Sequence, residues 1–222
     1  MHELPAFARI PRHIGIIPDG NRRWALGNNL QKKDGYPHGI APGLQLVDQM
    51  LAVGVREATF YGFTTDNTRR APEQVAAFSA ACVDAVGLLT QRNVSLLVVG
   101  NTKSKFFPEA LRPYTQERKT FSSDSQSKNL RLNFLVNYDW RQDLSSIGSG
   151  NNPIETAIAS QDISRIDLII RWGGKRRLSG FLPVQSVYAD IFVVETLWPD
   201  FNQQHLLDAL SWYQGCDVTL GG

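Results

Sequence analysis

Six short apolar runs punctuate the chain: IGII at 14–17, EATFYGF at 57–63, VSLLVVG at 94–100, LRLNFLV at 130–136, IDLIIR at 166–171 and DIFVVE at 190–195. Each is nearly continuous in hydrophobicity rather than alternating, which is the pattern of strands buried on both faces. Helical spacing fills the gaps between the early runs. Ile40, Leu44, Val47 and Leu51 recur at that spacing, and Gly54 stands where a left-handed residue would stop the helix. A second helix is expected to open at Pro72 with Glu73 beside its positive end. A last one covers NQQHLLDALSWY at 202–213. This alternation predicts an α/β fold: a single domain over 1–222 with a mostly parallel six-stranded sheet flanked by helices. The polar stretches SSDSQSK (122–128) and SSIGSGNNP (145–153) read as connections.

In open parallel sheets a ligand binds beyond the carboxyl ends of the strands. The segments following the predicted strands include PDGNRRW, TTDNTRR, NTKSK, NYDWRQD and RWGGKRRLS, and four of these five contain arginine. The whole chain, by contrast, carries a formal charge of only +2 over 222 residues, so the cations are gathered at one edge. Such a balance gives no support to a nucleic-acid or membrane-surface protein. No apolar run is long enough for a spanning helix, and MHELPAFARIPRH lacks the apolar middle of a signal peptide. Cys82 and Cys216 have no metal-ligand or CxxC spacing, fit a reducing cytosol, and read as small buried hydrophobes. A cytoplasmic enzyme is the expectation.

PDGNRRW supplies flexible backbone at Gly20, and the amides of Gly20, Asn21, Arg22 and Arg23 stand at a helix start where phosphate oxygens are bound. Arg23 adds a charge-assisted contact. Asp19 would repel phosphate directly but suits Mg²⁺, which takes one or two carboxylates together with phosphates and waters. The competing reading of Asp-Gly-Asn is an ordinary turn. RWGGKRRLSG, at 171–180, sets Gly-Gly among Arg171, Lys175, Arg176, Arg177 and Ser179, either an anion cradle or a solvated charge run. Thr64, Asn67 and Arg70 lie between a strand and a helix and can contact a substrate, although Asp66 or Asn67 can instead cap the turn. His38, on a Gly/Pro-rich loop, is the side chain best suited to proton transfer near neutrality.

Together HIGIIPDGNRRWA, FYGFTTDNTRR and DLIIRWGGKRRLSGFLPVQSVYADIFVVETLWPDF resemble, in order, the signatures of the cis-prenyltransferase family, the undecaprenyl diphosphate synthase-like enzymes. The resemblance runs from about residue 11 to the C-terminus. It implies a dimeric α/β fold and Mg²⁺-dependent chemistry on isoprenyl diphosphates. By matching position it makes Asp19 the catalytic, metal-associated aspartate, and Gly20, Asn21, Arg22 and Arg23 the loop holding the allylic diphosphate. Arg171, Arg177 and Ser179 grip the second diphosphate, and Thr64, Asn67 and Arg70 lie near the reacting carbons. Asp190 stands where the family usually has a glutamate associated with the metal and the dimer contact. Trp24, Phe60, Phe63 and the helix from Pro72 are candidates for an apolar wall, with core packing the competing reading for most of the aromatics.

Four departures accompany the resemblance. Gly173-Gly174-Lys175 replaces Gly-Gly-Glu, Thr68 replaces a tryptophan, Asp34 is the nearest match to a phosphate-binding arginine, and Thr219-Leu220-Gly221 lacks the arginine of a C-terminal Arg-x-Gly. Three of these change charge around the diphosphates. The reading they favour is irregular, non-head-to-tail coupling of two dimethylallyl diphosphates to a branched or cyclised C10 diphosphate of lavandulyl or cyclolavandulyl type. His38, Asp34 and the diphosphate stay open as bases. Ordinary cis elongation with isopentenyl diphosphate is the alternative. A non-catalytic partner subunit is the third reading, and the retained Asp19 and arginines argue against it.

Overall fold

The computed structural model describes residues 5–122, 129–145 and 153–217. All six expected strands form: β1 (His13–Ile17), β2 (Glu57–Tyr61), β3 (Val94–Val99), β5 (Leu130–Leu135), β6 (Leu168–Trp172) and β7 (Asp190–Val194). A seventh, β4 (Lys119–Phe121), was not expected. It has only three residues, none of them buried, and it pairs antiparallel at the edge against β3, so no apolar run announces it. The sheet order is β4-β3-β5-β2-β1-β6-β7, parallel everywhere except at that edge.

Side chains alternate across the strands and divide the sheet into two faces. Ile14, Ile16, Ala58, Phe60, Leu132, Phe134, Leu168 and Ile170 face the larger core. The long helices cover that side: α2 (Ile40–Val53), α3 (Pro72–Leu89) and α6 (Gln203–Tyr213) contribute Leu46, Met50, Cys82, Val86, Leu206 and Leu210. Gly54 ends α2 in the left-handed conformation, and Asn202 caps α6 by accepting from the Gln204 amide at 2.9 Å. The opposite face packs Ile17, Leu135 and Ile169 against Ile163, Ile166, Phe181 and Leu182. Beside it lie two short helices, α4 (Trp140–Ser145) and α5 (Ile154–Ala157).

The remaining helix, α1 (Asn21–Gly27), has only seven residues, about 10 Å of length. The chain therefore turns back at once, through short 3₁₀ turns at Lys32–Gly35 and Pro37–Gly39, across the carboxyl end of β1. That return covers the ligand edge of the sheet.

Candidate active site

Gly20 joins β1 to α1 with φ at +125°, a conformation costly for any residue with a Cβ. Having no side chain to cap with, it leaves the first amides of α1 to a ligand. Just before it, Asp19 is clamped. Arg171 Nη2 donates to Asp19 Oδ2 at 2.9 Å, and Arg23 Nη2 lies 3.4 Å from Oδ1. Arg171 is 4% exposed; its other terminal nitrogen donates to the Arg177 carbonyl and to Ser179 Oγ. Ser179 holds a left-handed φ of +55°, and its carbonyl accepts from Tyr61 Oη at 2.9 Å. Strain of that kind in a non-glycine residue persists where neighbours over-determine it.

These groups line a cleft of about 490 Å³. Arg22, Arg23, Lys32, Arg70, Arg171, Lys175 and Arg177 face it, against the carboxylates of Asp19 and Asp66. Asn21, Gly20, Thr64, Asn67 and Ser179 complete the sequence-predicted set that meets there. Asn67 also serves as a cap, since its Oδ1 accepts from the Thr64 amide at 3.1 Å. Burial and the nearby Arg22 charge weaken the hold of Arg70 on its proton, while Tyr36, whose Oη accepts from Arg70 Nη1 at 3.0 Å, works the other way.

A narrow apolar chamber of about 60 Å³ adjoins the cleft. It runs between α2, α3 and the sheet and is lined by Leu44, Phe60, Ala81, Cys82, Leu89, Phe134 and Trp198 among others. Burial pushes the Cys82 thiol up to about 12, so it serves as an inert wall.

Four predicted residues, His38, Trp24, Asp190 and Asp34, lie elsewhere. His38 is exposed, with its ring 4.5 Å from that of Trp24, whose Nε1 donates to Asp200 Oδ1 at 2.6 Å. This pair locks α1 to the 198–200 turn outside the cleft. In a 3₁₀ turn residues two apart point to different sides, and it is Tyr36, not His38, that faces inward. Asp190 opens β7 level with Leu168 and Ile14, about 10 Å down the strands from the level of Ile17. Within one chain it cannot share an ion with Asp19. Asp34 is spent locally, accepting from the Gln31 amide at 3.0 Å, and Lys32 is the nearby residue that lines the cleft. Of the expected apolar wall, Phe60 lines the chamber while Phe63 is core, 0% exposed. Thr68 bonds within its own turn, to the Thr65 carbonyl at 2.7 Å. Thr219-Leu220-Gly221 lies outside the described residues. Sequence reasoning did not single out Lys32, Tyr36 or Tyr61, and it reached Phe78 only through the helix from Pro72. Tyr36 and Tyr61 sit inside stretches it did consider, but their glycines, arginines and His38 carried the more obvious signal.

The family model described as "Putative undecaprenyl diphosphate synthase" matches residues 17–221. An isoprenyl transferase of Chlamydia trachomatis is 32% identical, over 95% of this chain and 91% of its own. A ditrans,polycis-undecaprenyl-diphosphate synthase ((2E,6E)-farnesyl-diphosphate specific) of Haemophilus influenzae is 28% identical, over 96% of each. Among solved structures, lavandulyl diphosphate synthase from Lavandula x intermedia in complex with dimethylallyl diphosphate superposes with a TM-score of 0.81 at 21% identity, covering 96% of this chain and 98% of that one. The fold is therefore shared with that enzyme, and with the family model spanning nearly all of it, this chain belongs to the cis-prenyltransferases, the undecaprenyl diphosphate synthase family, and is a prenyltransferase.

Proposed function

We propose that this prenyltransferase makes a short product, joining two dimethylallyl diphosphates in an irregular condensation to a branched or cyclised C10 diphosphate. The size of the apolar chamber carries the short-product part of the reading. Measured against the roughly 150 Å³ of an engineered cavity that takes up benzene, a chamber of about 60 Å³ that opens into the cleft suits a short tail lying partly in each, not a long polyprenyl one. The cationic excess of the cleft, including Lys32 and Lys175, suits two diphosphates side by side. The structural neighbour is a lavandulyl diphosphate synthase in complex with dimethylallyl diphosphate, in agreement with this reading.

Asp19 is the residue that would hold Mg²⁺. Among the described residues no three His, Cys, Asp or Glu side chains gather to cage a metal, and one carboxylate completed by diphosphate oxygens is a donor set that Mg²⁺ accepts. When bound, the ion neutralises charge developing on the departing diphosphate. The protein's own groups act on the same charge. Arg22, Arg23 and the α1 amides hold the first diphosphate as its carbon–oxygen bond breaks, while Arg171, Arg177 and Ser179 hold the second. The double bond of the second molecule attacks the allylic cation, and the resulting tertiary cation loses a proton. With His38 and Asp34 turned away, the released diphosphate is the base this arrangement favours. Asp190 takes the dimer contact instead of the metal: β7 is an edge strand, and Val187, Tyr188 and Ile191 on and before it are exposed, a surface suited to a second copy.

Ordinary head-to-tail elongation is the second reading, favoured by relatives named undecaprenyl diphosphate synthases. Product analysis with Mg²⁺ and dimethylallyl diphosphate alone, then with isopentenyl diphosphate added, separates the two. A C10 product from the single substrate is expected. Product only from the mixture would overturn irregular coupling, and its length would report the chain-length limit.

A further inference from the structure

Five residues line both the cationic cleft and the apolar chamber: Pro18, Asn21, Tyr36, Gly62 and Phe78. A prenyl diphosphate must lie across that boundary, its charge in the cleft and its hydrocarbon beyond, so its reacting carbons sit beside these residues. Two of the five are large and aromatic. The Tyr36 ring, 3% exposed, stacks on Phe78 with centroids 4.5 Å apart and planes 5° from parallel. Phe78 is in turn backed edge-on by Phe63 at 5.4 Å. The Tyr36 hydroxyl accepts from Arg70 Nη1 at 3.0 Å, and the Arg70 guanidinium carbon lies 5.6 Å from the centre of the Phe78 ring. One aromatic pair is thus pinned from behind by core packing and from the cleft by an arginine. The same boundary holds a buried polar atom without a partner, Asn21 Oδ1. A boundary fixed in this way does not widen freely when a longer tail arrives.

We propose that Tyr36 is the specificity-determining residue of this site: stacked on Phe78 and anchored by Arg70, it sets the passage from the diphosphate cleft to the hydrocarbon chamber and admits one five-carbon tail in preference to longer ones. This inference rests on the short-product reading above and deepens it. The hydroxyl and the ring have separable duties. The ring fixes the width of the passage, while the hydroxyl orients Arg70 toward the diphosphates.

The test is calorimetric binding of the unreactive thiolodiphosphate analogues of dimethylallyl and geranyl diphosphate, with Mg²⁺, to the wild-type protein and to Tyr36→Ala, Tyr36→Phe and Phe78→Leu. Wild type is expected to prefer the C5 analogue by about 10-fold or more, the scale on which an apolar pocket discriminates size. Tyr36→Ala should abolish or reverse that ratio. Tyr36→Phe should keep it while weakening both analogues a few-fold. Phe78→Leu reaches the same boundary from α3 and should also relax the ratio, which keeps the test open if Tyr36→Ala does not fold. A folded Tyr36→Ala or Phe78→Leu protein with the wild-type ratio would overturn the role of the aromatic pair and leave the short-product reading standing. A wild-type protein that binds the C10 analogue as tightly as the C5 analogue would overturn both.

Discussion

At the amino ends of the strands His13, Thr59, Asn133, Glu57 and Ser164 form one cluster; at the carboxyl ends Asp19, Asn21, Arg70, Arg171 and their neighbours form another. The first has its donors and its charge answered by protein groups, with Arg131 and Arg118 at its border. His13 donates from Nδ1 to the Ser164 carbonyl (2.9 Å) and accepts at Nε2 from the Thr59 hydroxyl (2.7 Å), which itself accepts from Asn133 Nδ2 (2.9 Å). Asn133 also donates to Glu57 Oε1 (2.8 Å), and Ser164 Oγ donates to Oε2 (2.7 Å). The second cluster is incomplete. Arg171 Nε and Asn21 Oδ1 are buried without partners, and cations outnumber carboxylates around the cleft. A satisfied buried network specifies the fold, whereas an unsatisfied one is completed by a ligand. Polarity alone does not distinguish a site from a scaffold; unpaired atoms on a cleft do, since Gln49, Asn137 and Gln185 also keep a buried oxygen without a partner but line neither the cleft nor the chamber.

The largest effect should come from the incomplete end. Asp19→Asn removes the carboxylate charge yet keeps an oxygen able to accept from Arg171. Turnover is expected to fall on the order of 10³-fold, with the thermal midpoint nearly unchanged. Unchanged turnover would remove Asp19 from the chemistry. The mirror experiment is Glu57→Ala. It strips the acceptor from the Asn133 amide and the Ser164 hydroxyl, and a buried donor left without its partner costs about 1–3 kcal/mol. Arg131, 3.4 Å away, is half-exposed and keeps Asp162 as its counter-charge. Chemical denaturation should show that loss, while the folded fraction keeps its wild-type kcat/KM. A Glu57 variant that stayed stable but lost turnover would erase the distinction between the two ends.

Lys175 offers a smaller and sharper probe, because it is exposed at the rim of the cleft. Lys175→Glu restores the charge that the family resemblance leads one to expect. At an exposed position the penalty on diphosphate binding is modest, about 5-fold in KM with kcat little changed, and it should shrink as salt is added. A fall in kcat instead would place Lys175 nearer the reacting atoms.

How much of this was legible in the sequence depends on whether a signal was local. Continuous apolar runs located β1 and β6 because burial on both faces leaves polar residues only near the strand ends, His13 at the start of β1 and Arg171 near the end of β6. The three-residue β4 was invisible, since only pairing with β3 makes KTF a strand. PDGNRRW was readable because the +125° φ of Gly20 is a demand that the sequence itself meets. Tyr36 was not. It reaches the cleft because Gly35 lets the returning chain press against the Asn21 carbonyl, where a Cβ would sit only 2.0 Å away. His38 carried the more suggestive chemistry but stands two residues further round a 3₁₀ turn, facing Trp24. Asp190 belongs to a motif whose other residues lie at the ligand edge, and strand direction alone separates it from them.

The smallest effect concerns the satisfied end and its dependence on pH. Burial lowers the His13 pKa from 6.5, while Glu57 and the Ser164 carbonyl work in the opposite direction without cancelling it. The hydrogen bonds give the structural reason: Nδ1 already donates, so a proton on Nε2 would face the Thr59 hydroxyl, which now donates to it. The folded protein therefore binds fewer protons than the unfolded chain once pH falls below 6.5. Its stability is full above that value and declines as pH drops toward the lowered pKa, by no more than about 1.4 kcal/mol per pH unit for one proton. Urea midpoints measured from pH 8 to pH 5 should fall gently below 6.5, and His13→Gln should flatten that slope while lowering the plateau. A slope unchanged in the variant would assign the acid sensitivity elsewhere and would show that the amino-end cluster tolerates a second charge, the one property that its closed hydrogen-bond pattern argues against.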